Sequence, residues 1–214
     1  LAQAEPGLVA WLQAGFHVIG DAASEAVVAG LRAAAEHVGL PAMRAAMHRL
    51  EHAELLTDDH VRALAELGVT ASMQPMFDAL WGGPGGMYEQ RLGAERAAGM
   101  NRFADLVSAG VLVAFGSDAP VTELGPWAAV RGAVHPTNPG QALSTRAAFG
   151  AHTRSGWRAV GQPDAGTLAP DAPAHLAIWD VDDIVVQAPD ERVAAWSTDP
   201  RSGTPGLPAL GPDL

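Results

Sequence analysis

The stretch VLVAFGSD, residues 111–118, is a short apolar run that ends in a glycine, a serine and a carboxylate. Its length, its valines and the turn-forming residues that follow it predict a buried β-strand. Three earlier segments have the same character: GFHVIG (15–20), MHRLEHA (47–53) and VTASMQP (69–75). Helical patterns separate them, and this alternation predicts a parallel sheet with right-handed crossovers, either in a (β/α)8 barrel or in an open doubly wound sheet.

Helices are predicted where apolar residues recur at helical spacing and where glycine or a capping residue marks an end. The predicted ranges are 24–38, 58–68, 94–109, 126–134 and 144–159. After residue 165 the pattern changes to strand-like segments and then to a Pro- and Gly-rich end. We therefore predict an α/β unit over residues 1–165 and a segment of a small β domain with a tail over residues 166–214.

Composition excludes several classes of function. The 214 residues carry a net charge of −11 without a basic patch, so neither nucleic acid nor an anionic membrane is an expected partner. There is no cysteine, so a metal site must use His, Asp or Glu. No apolar run is long enough to span a membrane and no basic leader is visible, so we expect a cytoplasmic protein.

Metal-binding residue types lie at the ends of three of the four predicted strands. His17, His52 and Asp118 occupy these positions, and the remaining strand ends in Gln74. Active residues of parallel α/β folds gather at the carboxyl ends of strands. Two imidazoles and a carboxylate are a ligand set of catalytic zinc, which favours a metal-assisted hydrolase.

Each of these residues also has a structural interpretation. A histidine in a strand can be a packed, hydrogen-bonded side chain, and the aspartate of GSDAP can be a turn residue or a helix cap. A second alternative is that His48, Glu51 and His52 form the H-x-x-E-H motif of an inverted zinc protease, which requires a helix over residues 41–52. The surrounding strand–helix alternation argues against that helix.

Four ordered motifs, HVIGDAA (17–23), HRLEHAELL (48–56), MQPMF (73–77) and FGSDAPV (115–121), resemble the YtcJ-like branch of the amidohydrolase superfamily. The resemblance covers nearly the whole chain. It implies a distorted (β/α)8 barrel, a TIM barrel, with a small β-sandwich, and it places His17 on strand 5, His52 on strand 6 and Asp118 on strand 8.

The resemblance also implies a function. His17, His52 and Asp118 would bind a divalent metal, expected to be zinc, and Asp118 would carry a proton from the attacking water to the leaving nitrogen. The expected substrate is a small molecule with a non-peptide C–N bond of the amide or formamide type. Further residues are expected in the pocket or around the metal ligands: His48, Glu51, Gln74, Phe77, Trp81, Tyr88, Arg91 and Arg96.

Two features of the family are absent from this sequence, namely the H-x-H pair of strand 1 and a lysine. We therefore expect the C-terminal half of the barrel, strands 5–8, with the C-terminal part of the sandwich. Such a half barrel would expose strand edges at 15–20 and 111–118 and an uncovered apolar face. It would form a homo-oligomer or pair with the N-terminal half, and the alternative to an active enzyme is a catalytically incomplete fragment.

Overall fold

Four parallel strands form the centre of the fold. The structure is a computed structural model and describes residues 12–182, 184–185 and 206–210. The strands are neighbours in chain order, and they are β1 (Gly15–Val18), β2 (Arg49–His52), β3 (Thr70–Met73) and β4 (Val113–Phe115). The predicted α/β class with a parallel sheet is confirmed.

Helices connect these strands and cover one face of the sheet. In the described residues they are α1 (Asp21–Val38), α2 (Leu40–Ala46), α3 (Asp58–Leu67), α4 (Pro75–Trp81), α5 (Met87–Leu92), α6 (Ala94–Ala98), α7 (Phe103–Ser108), α8 (Pro126–Val134), α9 (Thr145–His152) and α10 (Arg154–Ala159). None of them is both long and apolar enough to cross a membrane.

Two of the predicted helices are each divided into two. The segment 94–109 is interrupted between α6 and α7, where the buried Asn101 adopts a φ of 55° and its N–H donates to the carbonyl of Glu54. The segment 144–159 is interrupted at Thr153, whose φ of −122° and ψ of −88° are not helical. In both cases a tertiary contact or a local backbone conformation overrides the helical pattern.

The strand register separates the two faces of the sheet. Phe16, Leu50, Ala71 and Val113 are paired across the four strands and belong to or pack against the main core, with Leu50 and Ala71 fully buried. Successive side chains of a strand point to opposite faces. The residues of this row therefore face the helices.

The opposite face carries a different row. His17, Glu51, Ser72 and Ala114 are paired across the same strands, one residue further along. Three of these four residues are polar, so this face does not have the apolar character that we expected for an uncovered half barrel. The physical reason is the two-residue period of a strand, which confines the large apolar residues to the helix side.

The predicted small β domain is described only in part. Ile184–Val185 (β5) and Leu207–Pro208 (β6) form an antiparallel pair. The remainder of the expected segment between them lies outside the described residues. The boundary near residue 165 stays a prediction.

Replacement of Gly68 by alanine should destabilise the fold. Gly68 has a φ of 69°, and an added Cβ would lie 2.8 Å from Cγ and 3.1 Å from Cα of Arg44. Gly30, within α1, has no atom within 4 Å of the added Cβ. We expect Gly68→Ala to lower the free energy of unfolding by more than ~1 kcal/mol and Gly30→Ala to raise it by about 0.5–1 kcal/mol, measured by urea denaturation. Equal effects of the two substitutions would contradict this packing.

Candidate functional site

Two histidines meet at the carboxyl end of the sheet. His17 lies in β1 and His52 is the last residue of β2, and their ring centroids are 4.6 Å apart. Nδ1 of His17 is 3.1 Å from Nε2 of His52. The structure therefore brings together two of the three predicted metal ligands.

The ring of His52 is held from two sides. Its Nδ1 lies 3.0 Å from the amide oxygen of Gln74, which follows β3 directly. An amide oxygen only accepts, so Nδ1 carries the proton and Nε2 presents its lone pair towards His17. Phe77 stacks nearly parallel to the same ring at 5.9 Å. Gln74 and Phe77 thus fix the orientation of the His52 ring.

The distance between the two nitrogens fits joint coordination of one metal ion. Two ligands at the usual Zn–N distance of ~2.0–2.1 Å in a tetrahedral site are separated by roughly 3.3 Å. The observed 3.1 Å between Nδ1 of His17 and Nε2 of His52 is close to that value. Within the described residues, no group of three or more His, Asp or Glu converges in this way. The pair therefore supplies two donors.

Asp118 stands three residues beyond the end of β4, at the same edge of the sheet as the histidines. It is exposed, its φ is 55°, and its carbonyl accepts a hydrogen bond from the N–H of Val121 at 2.8 Å. The side chain of Asp118 does not form a metal-holding group with His17 and His52 in this structure. Its predicted role as ligand and proton carrier remains a prediction.

Three aromatic residues of the expected pocket extend away from His52. Phe77 and Trp81 of α4 have ring centroids 4.5 Å apart, and Tyr88 of α5 meets Trp81 edge-on at 6.2 Å. Phe77 and Tyr88 are buried and Trp81 is half-buried. The segment after β3 therefore provides an apolar wall that begins at the histidine pair.

The sequence reasoning missed Glu54, a carboxyl group that is 4% exposed. It lies two residues after His52 and accepts a hydrogen bond of 2.5 Å from the hydroxyl of Tyr88. Burial raises the pKa of Glu54, while the hydrogen bond from the Tyr88 hydroxyl, and His52 and His17 when they are protonated, lower it in part. Burial and the same carboxyl group raise the pKa of Tyr88 above its usual range. The spacing His-x-Glu at a strand end was the available signal.

Comparisons with known proteins identify the family of the chain. The amidohydrolase family profile matches residues 10–198. The chain belongs to the amidohydrolase family. The chain is 31% identical to YtcJ of Bacillus subtilis (strain 168), which is named as an amidohydrolase, over 58% of the chain and 22% of that protein. The predicted resemblance to the YtcJ-like group is thereby confirmed.

Two further relatives cover more of the chain. Protein LONG AFTER FAR-RED 3 of Arabidopsis thaliana is 30% identical over 78% of the chain and 29% of its own length. The solved structure of an uncharacterized metal-dependent hydrolase from Pyrococcus furiosus has a TM-score of 0.60 at 28% identity, over 76% of this chain and 32% of that one. This amidohydrolase chain therefore spans between about a fifth and a third of these relatives.

The remaining predicted site residues have other contacts. Glu51 forms an ion pair with Arg49, and Nδ1 of His48 accepts the N–H of Ala14 at 3.0 Å. His48 precedes β2 and His52 ends it, so the two lie roughly 13 Å apart along a strand. His48 and His52 therefore do not share the helical face that the H-x-x-E-H protease motif requires.

The two arginines expected in the pocket, Arg91 and Arg96, differ in their surroundings. Arg96 forms an ion pair of 2.8 Å with Asp21. Arg91 of α5 is exposed. Of the two, Arg91 is the guanidinium that is available to a ligand.

The substitution Gln74→Met tests how much the hydrogen bond between Gln74 and His52 stabilises the fold. Methionine has a similar length but offers no oxygen, so the buried Nδ1–H of His52 would lose its acceptor. We expect the free energy of unfolding to fall by about 1–3 kcal/mol in urea denaturation. Gln90→Met is the matched control, since Gln90 is exposed on α5, and it should change stability by less than ~0.5 kcal/mol. A Gln74→Met protein as stable as the Gln90→Met protein would contradict the hydrogen bond.

Proposed function

We propose that this amidohydrolase hydrolyses a non-peptide C–N bond of a small amide- or formamide-like molecule with the help of a divalent metal, best matched by zinc. One observation carries the proposal. Nδ1 of His17 and Nε2 of His52 face each other at 3.1 Å, with the tautomer of His52 set by Gln74. Neutral imidazoles arranged in this way are typical zinc ligands.

The residues of the site have separate tasks in this proposal. A bound divalent ion would polarise the substrate carbonyl and lower the pKa of water. His17 and His52 hold the ion, and Gln74 keeps the lone pair of His52 directed at it. Asp118 accepts a proton from water as the new C–O bond forms and delivers it to the nitrogen as the C–N bond breaks.

The aromatic wall suits the apolar part of a substrate. Phe77 contacts His52, and Trp81 continues the same surface while remaining half-buried. An apolar group bonded to the carbonyl or to the nitrogen would pack there, next to the reacting bond. An acidic group further along the substrate would meet the exposed Arg91.

The two histidines alone do not complete a metal site. A catalytic zinc ion has three protein ligands and a water molecule. We infer that Asp118 becomes a ligand after a rearrangement of its turn, or that the other donors come from outside the described residues, including the strands that would close a barrel. The alternative, a catalytically incomplete chain, is favoured by the count of two converging donors within the described residues.

Metal analysis of histidine variants tests the proposal. We expect the purified protein to bind a divalent metal in about equimolar amount, and His17→Ala and His52→Ala each to lose it, because each removes one facing nitrogen. His48→Ala should keep the metal, since His48 lies at the other end of β2. The measurement is inductively coupled plasma mass spectrometry after dialysis against zinc.

Other results would select other functions. Loss of metal in His48→Ala and His52→Ala but not in His17→Ala would favour the inverted protease site. A wild-type protein that retains no metal, together with no hydrolysis of a panel of amides and formamides, would favour the incomplete chain.

A further inference from the structure

The buried carboxyl group of Glu54 has one hydrogen-bond donor and no ion-pair partner among the described residues. The hydroxyl of Tyr88 donates to it at 2.5 Å. No arginine within the described residues forms an ion pair with Glu54. A carboxylate removed from water is costly unless a cation or several donors stabilise it. Among the described residues, the Glu54 carboxyl group has no cation partner and one hydrogen-bond donor, the Tyr88 hydroxyl.

A second buried carboxylate, that of Asp78, is stabilised by several hydrogen-bond donors. Asp78 is equally buried, but it accepts from the N–H of Thr137 at 2.7 Å, from the hydroxyl of Thr137 at 2.8 Å and from the amide of Asn101 at 3.4 Å. The charge of Asp78 is therefore satisfied within the architecture. The contrast indicates that Glu54 is placed for an interaction that the protein groups themselves do not supply.

The histidine pair is the site where such an interaction can arise. Glu54 follows His52 by two residues, and the rings of Phe77, Trp81 and Tyr88 run in contact from His52 to the hydroxyl that donates to Glu54. A divalent ion held by two neutral imidazoles keeps its full charge of +2. A buried carboxylate on the His52 side of the site would be attracted to that charge more strongly than a carboxylate in water would be.

We propose that Glu54 is the anionic counter-charge of a divalent cation held by His17 and His52, and that Tyr88 fixes its position. Glu54 acts through the electrostatic field and does not coordinate the ion. Tyr88 is a positioning residue, and it connects α5, at the end of the apolar wall, to the metal centre. The inference rests on the metal site of the proposed function and extends it to residues outside the ligand set.

The variant Glu54→Gln separates charge from shape. Glutamine has the same size, and its amide oxygen can still accept from Tyr88. We expect the affinity for Zn²⁺ or Co²⁺ alone, measured at pH 8 by competition with a chromophoric chelator, to fall about 10–100-fold. The thermal midpoint of the metal-free protein should stay the same or rise, since a neutral amide needs no counter-charge.

Two more variants complete the experiment. Glu89→Gln makes the same chemical change one residue after Tyr88, where the carboxylate accepts the N–H of Gly85, and it should leave metal affinity unchanged. Tyr88→Phe keeps the charge but removes its anchor, so it should weaken metal binding by less than Glu54→Gln does. If Glu54→Gln does not fold, Tyr88→Phe and Glu89→Gln carry the comparison.

The outcomes distinguish this inference from the proposed function. Retention of metal by His17→Ala and His52→Ala would overturn both. Loss of metal in those variants, together with unchanged affinity in Glu54→Gln, would overturn the counter-charge alone. A fall in the metal-free thermal midpoint of Glu54→Gln without a change in affinity would assign Glu54 a purely structural role and would also overturn it.

Discussion

The parallel pairing of β1 to β4 is the constraint on which the rest of the structure depends. Because all four strands run in the same direction, their carboxyl ends lie at one edge of the sheet, and every residue that follows a strand is delivered there. The pairing of Val18 with His52 defines the register of β1 relative to β2. A shift of one residue would turn His17 to the helix side and would exchange it with an apolar neighbour.

The same register separates the polar face of the sheet, which carries His17, from the apolar face that packs against the helices. The row that contains Leu50 and Ala71 packs against the helices and excludes water. The row one residue further along contains His17 and Glu51 and is free of that packing. His52 is paired with Val18 in the first row and ends it with a φ of 74°, so the histidine pair forms where β2 leaves the regular strand conformation.

The segments after the strands complete the environment of the site. Gln74 comes directly after β3 and holds one side of the His52 ring, while Phe77 from the following helix covers a face. Glu54 receives Tyr88 from α5, and its backbone carbonyl receives the N–H of Asn101. Residues 22 and 34 positions apart in the sequence thus act on one ring and one carboxyl group. Such an environment favours a fixed geometry over an adaptable one.

Much of the fold follows from sequence pattern, because the signals that carry it are local. The four strands and the helix ranges 24–38, 58–68 and 126–134 agree with the described elements to within a few residues. The divided helix at 94–109 could not be foreseen, since its interruption at Asn101 depends on a hydrogen bond to a residue far away in sequence. Residues 41–52 carried two conflicting signals, and the chain satisfies both, with a helix first and a strand after it.

For the site, the sequence by itself determined which chemical groups arrive at the carboxyl ends of the strands, namely His17, His52, Gln74 and Asp118. Strand periodicity and turn residues are enough to place a side chain at a strand end. Only the tertiary structure decided which of these groups meet: His17 and His52 approach to 3.1 Å, whereas Asp118 stays on an exposed turn. It also decided that Glu54 is buried against Tyr88, because burial results from packing between elements and has no local signature in a polar residue.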